Sequence, residues 1–320
     1  MDLITLDGIY IITGIVVGFV SLRIAFDKDH PTRIGASVFW GIFAITFLFG
    51  NWLPSVIVGY LILILAIIAA LGRVKKGGQK EPPKEERIKS ANKFKGKIFI
   101  PALVIPIVTV IGTLTFDHIR FGNINLVDSE NVTLIALGLS TIVAFIVAQR
   151  LTKASPSVPL HEGSRLMQAV GWAILLPQLL AALGSIFETS GVGEVISNVV
   201  GNILPTHFAL IAVITYCFGM ALFTVIMGNA FAAFAVITGG IGVPLIVQMH
   251  GGNPGIMAAL GMFAGFCGTL MTPMAADFNI VPALLLELKN KNAVIKAQIP
   301  IALALLIIDT ILMYLLVYNF

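Results

Sequence analysis

The chain has 320 residues, of which 58% are apolar and 11% charged, whereas ordinary soluble domains carry about 25% charged residues; that balance excludes a soluble globular domain. The net charge is +4, but ten of the twenty Lys and Arg residues fall between Arg73 and Lys97, in a membrane-flanking cluster rather than a nucleic-acid surface. The two cysteines, Cys217 and Cys267, lie inside apolar runs and do not indicate a disulfide framework.

The apolar residues come in long runs, at about 8–25, 34–50, 53–72, 98–116, 132–149, 166–187, an irregular stretch 195–288, and 298–317. A helix that crosses the hydrocarbon core needs ~20 such residues. Short alternating segments of the β-barrel kind are missing. The expected fold class is therefore all-α: a polytopic transmembrane helical bundle, with broken or re-entrant helices in the C-terminal half.

Residues 1–72 read as a three-helix transmembrane scaffold. The segment Met1-Asp2-Leu3-Ile4 has no basic residue before its apolar run, so no cleavable signal peptide is expected. Gly14 and Gly18 form a small-xxx-small pair suited to close helix packing. Residues 73–97, including Lys75-Lys76-Gly77-Gly78-Gln79-Lys80-Glu81-Pro82-Pro83-Lys84, are polar and rich in Gly, Pro and charge. They read as a solvated basic connector, with contact to anionic headgroups as a second reading. Residues 98–165 supply two more transmembrane helices and a second basic loop.

Enzyme signatures are poor, and no enzyme is expected. His161-Glu162-Gly163-Ser164-Arg165 begins like a zinc-protease helix but lacks the second His. There is no Gly-x-Ser-x-Gly, no Walker A and no Cys/His cluster.

Basic loops mark the cytoplasmic side. With 73–97 inside, Lys28, Arg33, Arg150, Lys153 and Arg165 also fall inside, as do Lys289, Lys291 and Lys296 if 195–288 makes a net crossing. Only Arg120 is then extracellular, and both termini lie outside.

Residues 166–320 form the transport-like region. It has no Lys or Arg from Leu166 to Leu288. Gly201-Asn202-Ile203-Leu204-Pro205 weakly echoes Gly50-Asn51-Trp52-Leu53-Pro54. Two motifs interrupt the apolar pattern, Thr224-Val225-Ile226-Met227-Gly228-Asn229-Ala230-Phe231-Ala232-Ala233-Phe234 and Gly268-Thr269-Leu270-Met271-Thr272-Pro273-Met274-Ala275-Ala276-Asp277-Phe278-Asn279-Ile280-Val281-Pro282. Pro removes a backbone donor and Gly weakens helix continuity. Freed backbone groups at membrane depth must be satisfied by protein or a water-filled cavity, and transporters use such broken helices to hold substrate and ions. Region 218–282 is thus expected to form broken or re-entrant helices that meet near mid-membrane. Candidate substrate ligands are Asn229, Thr224, Thr269, Thr272 and Asn279. Candidate ion-coupling positions are Gly228, Asn229, Gly268 and Thr269, through carbonyls that suit Na⁺, and Asp277, through H⁺. Asp309, within the last span, reads first as an inter-helix pairing group, with a proton site as the second reading. No metal or catalytic residue is assigned.

These motifs, together with Phe99-Ile100-Pro101-Ala102-Leu103, Gly171-Trp172-Ala173, Leu176-Pro177-Gln178 and Phe218-Gly219-Met220-Ala221-Leu222-Phe223-Thr224, resemble a bacterial membrane family long of unknown function. That family is now described as a subunit of a 5-oxoproline (pyroglutamate) transporter, paired with a second, smaller membrane protein. The resemblance covers nearly the whole chain. More remotely, the second half is similar to one half of the ion-transporter superfamily, whose hairpin tips often read Ser-Asn-Thr; Gly228-Asn229-Ala230 matches only the Asn. The resemblance implies a secondary active transporter subunit for a small carboxylate in the bacterial inner membrane. It further implies no cofactor, Na⁺ or H⁺ as coupling ion, and work with the smaller subunit or as a homo-oligomer. The alternative is an accessory or assembly subunit with no substrate site of its own.

Overall fold

In a computed structural model of the chain, residues 2–78, 83–121, 124–155, 157–203, 205 and 207–319 are described. Gln79–Pro82 of the basic connector and Leu204 of the five-residue echo lie outside them. The chain divides into two compact units, residues 1–171 and 172–320. Seven helical stretches among the described residues are long and apolar enough to cross a membrane, and three shorter apolar helices accompany them. The protein is an all-α, multi-pass membrane protein.

The first unit contains α1 (Leu6–Phe26), α2 (Arg33–Phe49), α3 (Ser55–Ala70), α4 (Lys84–Phe94), α5 (Ile100–Thr115), α6 (Val132–Thr152) and α7 (Ser157–Val170). Helices α1 and α2 pack tightly because Gly14 and Gly18 face Leu48 and Ala44. Two reciprocal bonds join them further: the Ser21 hydroxyl donates to the Ser37 carbonyl at 2.8 Å and the Ser37 hydroxyl to the Ser21 carbonyl at 3.0 Å. Phe39, Trp40 and Ile24 are buried beside this seam.

A small sheet ties distant parts of the first unit together. Strand β1 (Asp2–Ile4) runs parallel to β3 (Ile124–Val127), and β2 (Arg120–Phe121) pairs antiparallel with β3. Asn125 Nδ2 donates to the Asp2 carboxylate at 3.0 Å, and Asn51 Nδ2 donates to Asp7. One end of the unit therefore gathers 2–7, 51 and 120–127. The other gathers 27–33 with 73–78, where Lys75 N donates to the Thr32 hydroxyl at 3.3 Å and Gly77 N to the Gln168 side chain at 3.1 Å. Acids crowd the first end and bases the second.

The second unit contains α8 (Leu176–Thr189), α9 (Val192–Ile203), α10 (Ala209–Met227), α11 (Ala230–Ile237), α12 (Pro254–Leu270), α13 (Val281–Leu285) and α14 (Ala293–Leu316). Helix α11 continues into a π-helical stretch Thr238–Met249 that contains Gly239, Gly240, Gly242 and Pro244. Pro cannot donate to an α-helical ladder, and the wider π register absorbs the defect. The span expected at 166–187 lies within the helical stretch Ser157–Phe187, which passes from α7 through a 3₁₀ segment Gly171–Leu175 into α8, with Gly171 at φ 57°.

Helix direction in the second unit follows from its close contacts. A Cβ at Gly219 would touch Ile237 and Ile241, and Tyr216 meets Thr238 hydroxyl to hydroxyl at 2.8 Å. Residues 230–249 therefore fold back along α10 as an antiparallel hairpin closed by Gly228-Asn229. Gly261 packs on Tyr216, Gly265 on Met220, and Gly268 on Ala221 and Thr224, so α12 runs parallel to α10. Helix α14 returns antiparallel to both: Asn253 N donates to the Val317 carbonyl at 2.8 Å, and Cys217 Sγ meets Met313 Sδ at 3.6 Å. A cluster of Tyr216, Met220, Ile237, Ile241, Leu306 and Met313 fills the core between them.

Candidate functional site

Helix α10 ends because Gly228 adopts a left-handed conformation, φ 71° and ψ 3°, and its N–H donates to the Thr224 carbonyl at 2.6 Å. Asn229 then starts α11. Its extended backbone and short amide suit an N-cap, and Oδ1 accepts from Phe231 N at 2.9 Å and Ala232 N at 3.3 Å. Glycine is required at 228 for a second reason. A Cβ there would lie 2.8 Å from the Met274 carbonyl carbon and 2.9 Å from Leu180 Cδ1.

Helix α12 ends at Leu270, and 271–275 are non-helical before a π-helical turn Ala276–Ile280 leads into α13. Three side chains hold this break. The Thr272 hydroxyl, 1% exposed, donates to the Val225 carbonyl at 2.8 Å and accepts from Met274 N at 3.2 Å. Asn279 is fully buried, and its Nδ2 donates to the carbonyls of Thr269 at 2.8 Å and Thr272 at 2.7 Å. Two acceptors on one side fix which way that amide faces. Its Oδ1 has no partner among the described residues. The Thr269 hydroxyl, also buried, donates back to the Phe266 carbonyl at 2.6 Å.

Because α10 and α12 are parallel, their C-terminal breaks lie side by side at one end of the pair. They enclose a cavity of about 220 Å³ whose lining includes Leu180, Asn229, Phe266, Thr269, Asp277 and Phe278. Rings close one wall: Phe266 stands edge-on to Phe231 with ring centroids 5.9 Å apart, and its centroid lies 6.2 Å from that of Phe278. No Lys or Arg contributes to the lining.

Of the residues singled out in the sequence, Gly228, Asn229, Thr269 and Asp277 line this cavity together. Thr272 and Asn279 brace its floor rather than line it. Thr224 is buried between α10 and α12, its hydroxyl unpartnered among the described residues, and Gly268 is the point where α12 touches Ala221 and Thr224. Asp277 is exposed at the cavity mouth. The Gly268 carbonyl accepts from Met271 N at 3.0 Å, and the Thr269 carbonyl from Asn279. Of the carbonyls expected to receive Na⁺, those of Gly268, Thr269 and Asn229, the last accepting from Ala233 N at 3.1 Å, thus hold one protein donor already, which leaves a lone pair on each.

Pro177 and Leu180, at the start of α8, form part of the lining that sequence reasoning missed. Pro177 stood in a family-like segment but no polar atom marked it. The aromatic wall also went unseen, since Phe residues abound in such a sequence. Gly228-Asn229 joins Ala209–Met227 to Ala230–Met249, each long and apolar enough to cross a membrane, so the two breaks meet at the end of the hairpin.

No curated protein and no solved structure matches the chain. Over residues 7–318 it matches a family model described as protein of unknown function (DUF979), and the chain belongs to that family.

Proposed function

We propose that the chain is the substrate-handling subunit of a secondary active transporter for a small carboxylate, with 5-oxoproline as substrate and a cation as coupling ion. The observation that carries this reading is the convergence of two helix breaks, Gly228-Asn229 and 271–275, on one small cavity. Helices interrupted side by side around a cavity are a recurrent way to bind substrate within a transporter. At about 220 Å³ the cavity is below the range of drug-sized sites, in keeping with a compact ligand. Its mixture of aromatic walls, Asn229 and Thr269 suits a small amide-bearing ring.

The substrate's negative charge needs compensation, and no Lys or Arg lies between Leu166 and Leu288. The N-terminus of α11 supplies partial positive charge, worth ~0.3–2 kcal/mol at a helix end. That is less than the cost of burying an unpaired carboxylate, which favours entry of a cation with the substrate or a cation donated by a partner subunit. A bacterial inner-membrane location follows in this reading, with the base-rich end of the first unit and the Lys289–Lys296 end of the second facing the cytoplasm.

Uptake of labelled 5-oxoproline into proteoliposomes, with and without a smaller second subunit, tests the proposal. Concentrative uptake that requires this chain and a cation gradient is expected. If uptake proceeds when this chain is omitted, the accessory-subunit reading replaces it.

A further inference from the structure

Among the residues whose burial is described, the most deeply buried acid of the second unit lies away from the cavity. Asp309, on α14, is 7% exposed, and its Oδ2 has no hydrogen-bond partner among the described residues. The inter-helix pairing suggested by the sequence is therefore not what holds that oxygen. Asp309 shares a face of α14 with Leu306, Thr310 and Met313, all buried. Leu306 and Met313 belong to the core formed with Tyr216 and Cys217 of α10 and Met257 and Cys267 of α12. The neighbouring Thr310 hydroxyl is committed to the Leu306 carbonyl at 2.7 Å.

The helices packed most closely on α14, among the described residues, are α10, α12 and α13, and their sequences contain no Asp, Glu, Lys, Arg or His that could pair with Asp309. The titratable groups within electrostatic reach are Tyr216 and Cys217 on α10 and Cys267 on α12. An ionised carboxylate buried among these groups is strongly unfavourable, so the packing accepts the neutral acid. Acids placed inside transmembrane bundles are characteristic of proton pathways. Asp277, by contrast, is exposed.

We propose that Asp309 is the proton-binding site of the carrier. Its carboxylate takes up one proton from the aqueous phase on one side, holds it while α10, α12 and α14 are packed as here, and releases it to the other side when the bundle opens. The link to substrate is physical. Helices α10 and α12, which enclose Asp309, end in the two breaks that bound the cavity, so a change in their packing against α14 reaches both. This inference rests on the transport reading above and names H⁺ as its coupling ion.

The test uses the full-length chain, reconstituted with the second subunit in Na⁺-free liposomes, with labelled 5-oxoproline as substrate and a trapped pH dye. Wild type should accumulate substrate down an imposed proton gradient and bind it more weakly as pH rises, by up to about tenfold per pH unit for one linked proton. Asp309→Asn should lose the proton-driven accumulation and the pH dependence of binding. An Asn variant that keeps either one overturns the proposal. If wild type neither binds nor moves 5-oxoproline, the substrate reading falls, and infrared difference spectra of the chain in membranes then decide the proton site alone. A protonated-carboxyl band at neutral pH, absent in Asp309→Asn and shifted in Asp309→Glu, supports the assignment; no such band in wild type overturns it.

Discussion

The Thr272 hydroxyl donates to the Val225 carbonyl at 2.8 Å, and so fastens the break after α12 to the last turn of α10. The last four carbonyls of any helix lack intrahelical donors, and this bond satisfies one of them. We predict that Thr272→Val, which keeps the shape and removes the hydroxyl, destabilises the chain by ~1–3 kcal/mol, because the Val225 carbonyl and Met274 N–H lose a partner in a buried place. Uptake should fall with it. Thr272→Ser should restore both. Thermal unfolding in detergent and uptake in liposomes check the pair, and a Val variant as stable and active as wild type would remove the bond from the mechanism.

A second prediction contrasts two glycines. Gly228 is left-handed, with Met274 and Leu180 pressed against the position of a Cβ. Gly228→Ala should cost ~1–2 kcal/mol from conformation, with more from displacement of the Met274 loop, and should collapse the cavity. Gly239, in the π-helical stretch, is not in the left-handed region and has nothing within 4 Å of a Cβ. Gly239→Ala should be neutral or stabilising by ~0.5–1 kcal/mol. Equal melting temperatures for the two variants would contradict this account of Gly228.

Much of this was legible in the sequence because hydrophobicity is local. The α1, α2, α5, α6 and α14 spans follow from apolar runs bounded by charge, and the interruptions at Gly228 and Pro273 from residues with intrinsic backbone consequences. What stayed hidden depends on residues far apart in the chain. The pairing of Asp2 with Asn125 needs two short segments with no strand pattern of their own. Asn279 looked like a ligand, yet the same donors that suit a substrate also suit the Thr269 and Thr272 carbonyls, and only the path of the chain decides between them. Asp309 read first as a pairing residue because sequence does not reveal which helices pack on α14, and those that do, α10, α12 and α13, carry no charged side chain.

The strand pairing also predicts sidedness. Since β1 and β3 are hydrogen-bonded, positions 3 and 130 must face the same compartment, while the end that joins Lys75 to Thr32 faces the other. With the charge bias added, the first pair is external. Cys217 and Cys267 are buried, so the native chain gives little background for thiol labelling. Leu3→Cys and Glu130→Cys should react with an impermeant maleimide on intact cells, and Lys75→Cys only after permeabilisation. Labelling of all three on intact cells, or of Lys75→Cys alone, would refute the arrangement.

Asn229 provides the sharpest separation of structure from function. Its side chain caps α11 by accepting from Phe231 N and Ala232 N, and it also lines the cavity. Asn229→Ala removes the cap, which costs ~1 kcal/mol, so a loss of uptake in that variant has two explanations. Asn229→Asp does not. A carboxylate caps a helix as well as an amide does, and its charge at the N-terminus of α11 is favourable, so the fold should keep its melting temperature or gain slightly. The same charge would face an anionic substrate across a small cavity with no basic side chain in its lining. We therefore expect Asn229→Asp to be as stable as wild type and more than tenfold weaker in 5-oxoproline uptake. Asn229→Ser, a neutral cap, should retain most activity, which isolates charge as the cause. Wild-type uptake by the Asp variant at neutral pH would mean that no carboxylate approaches Asn229, and the substrate class would have to be abandoned.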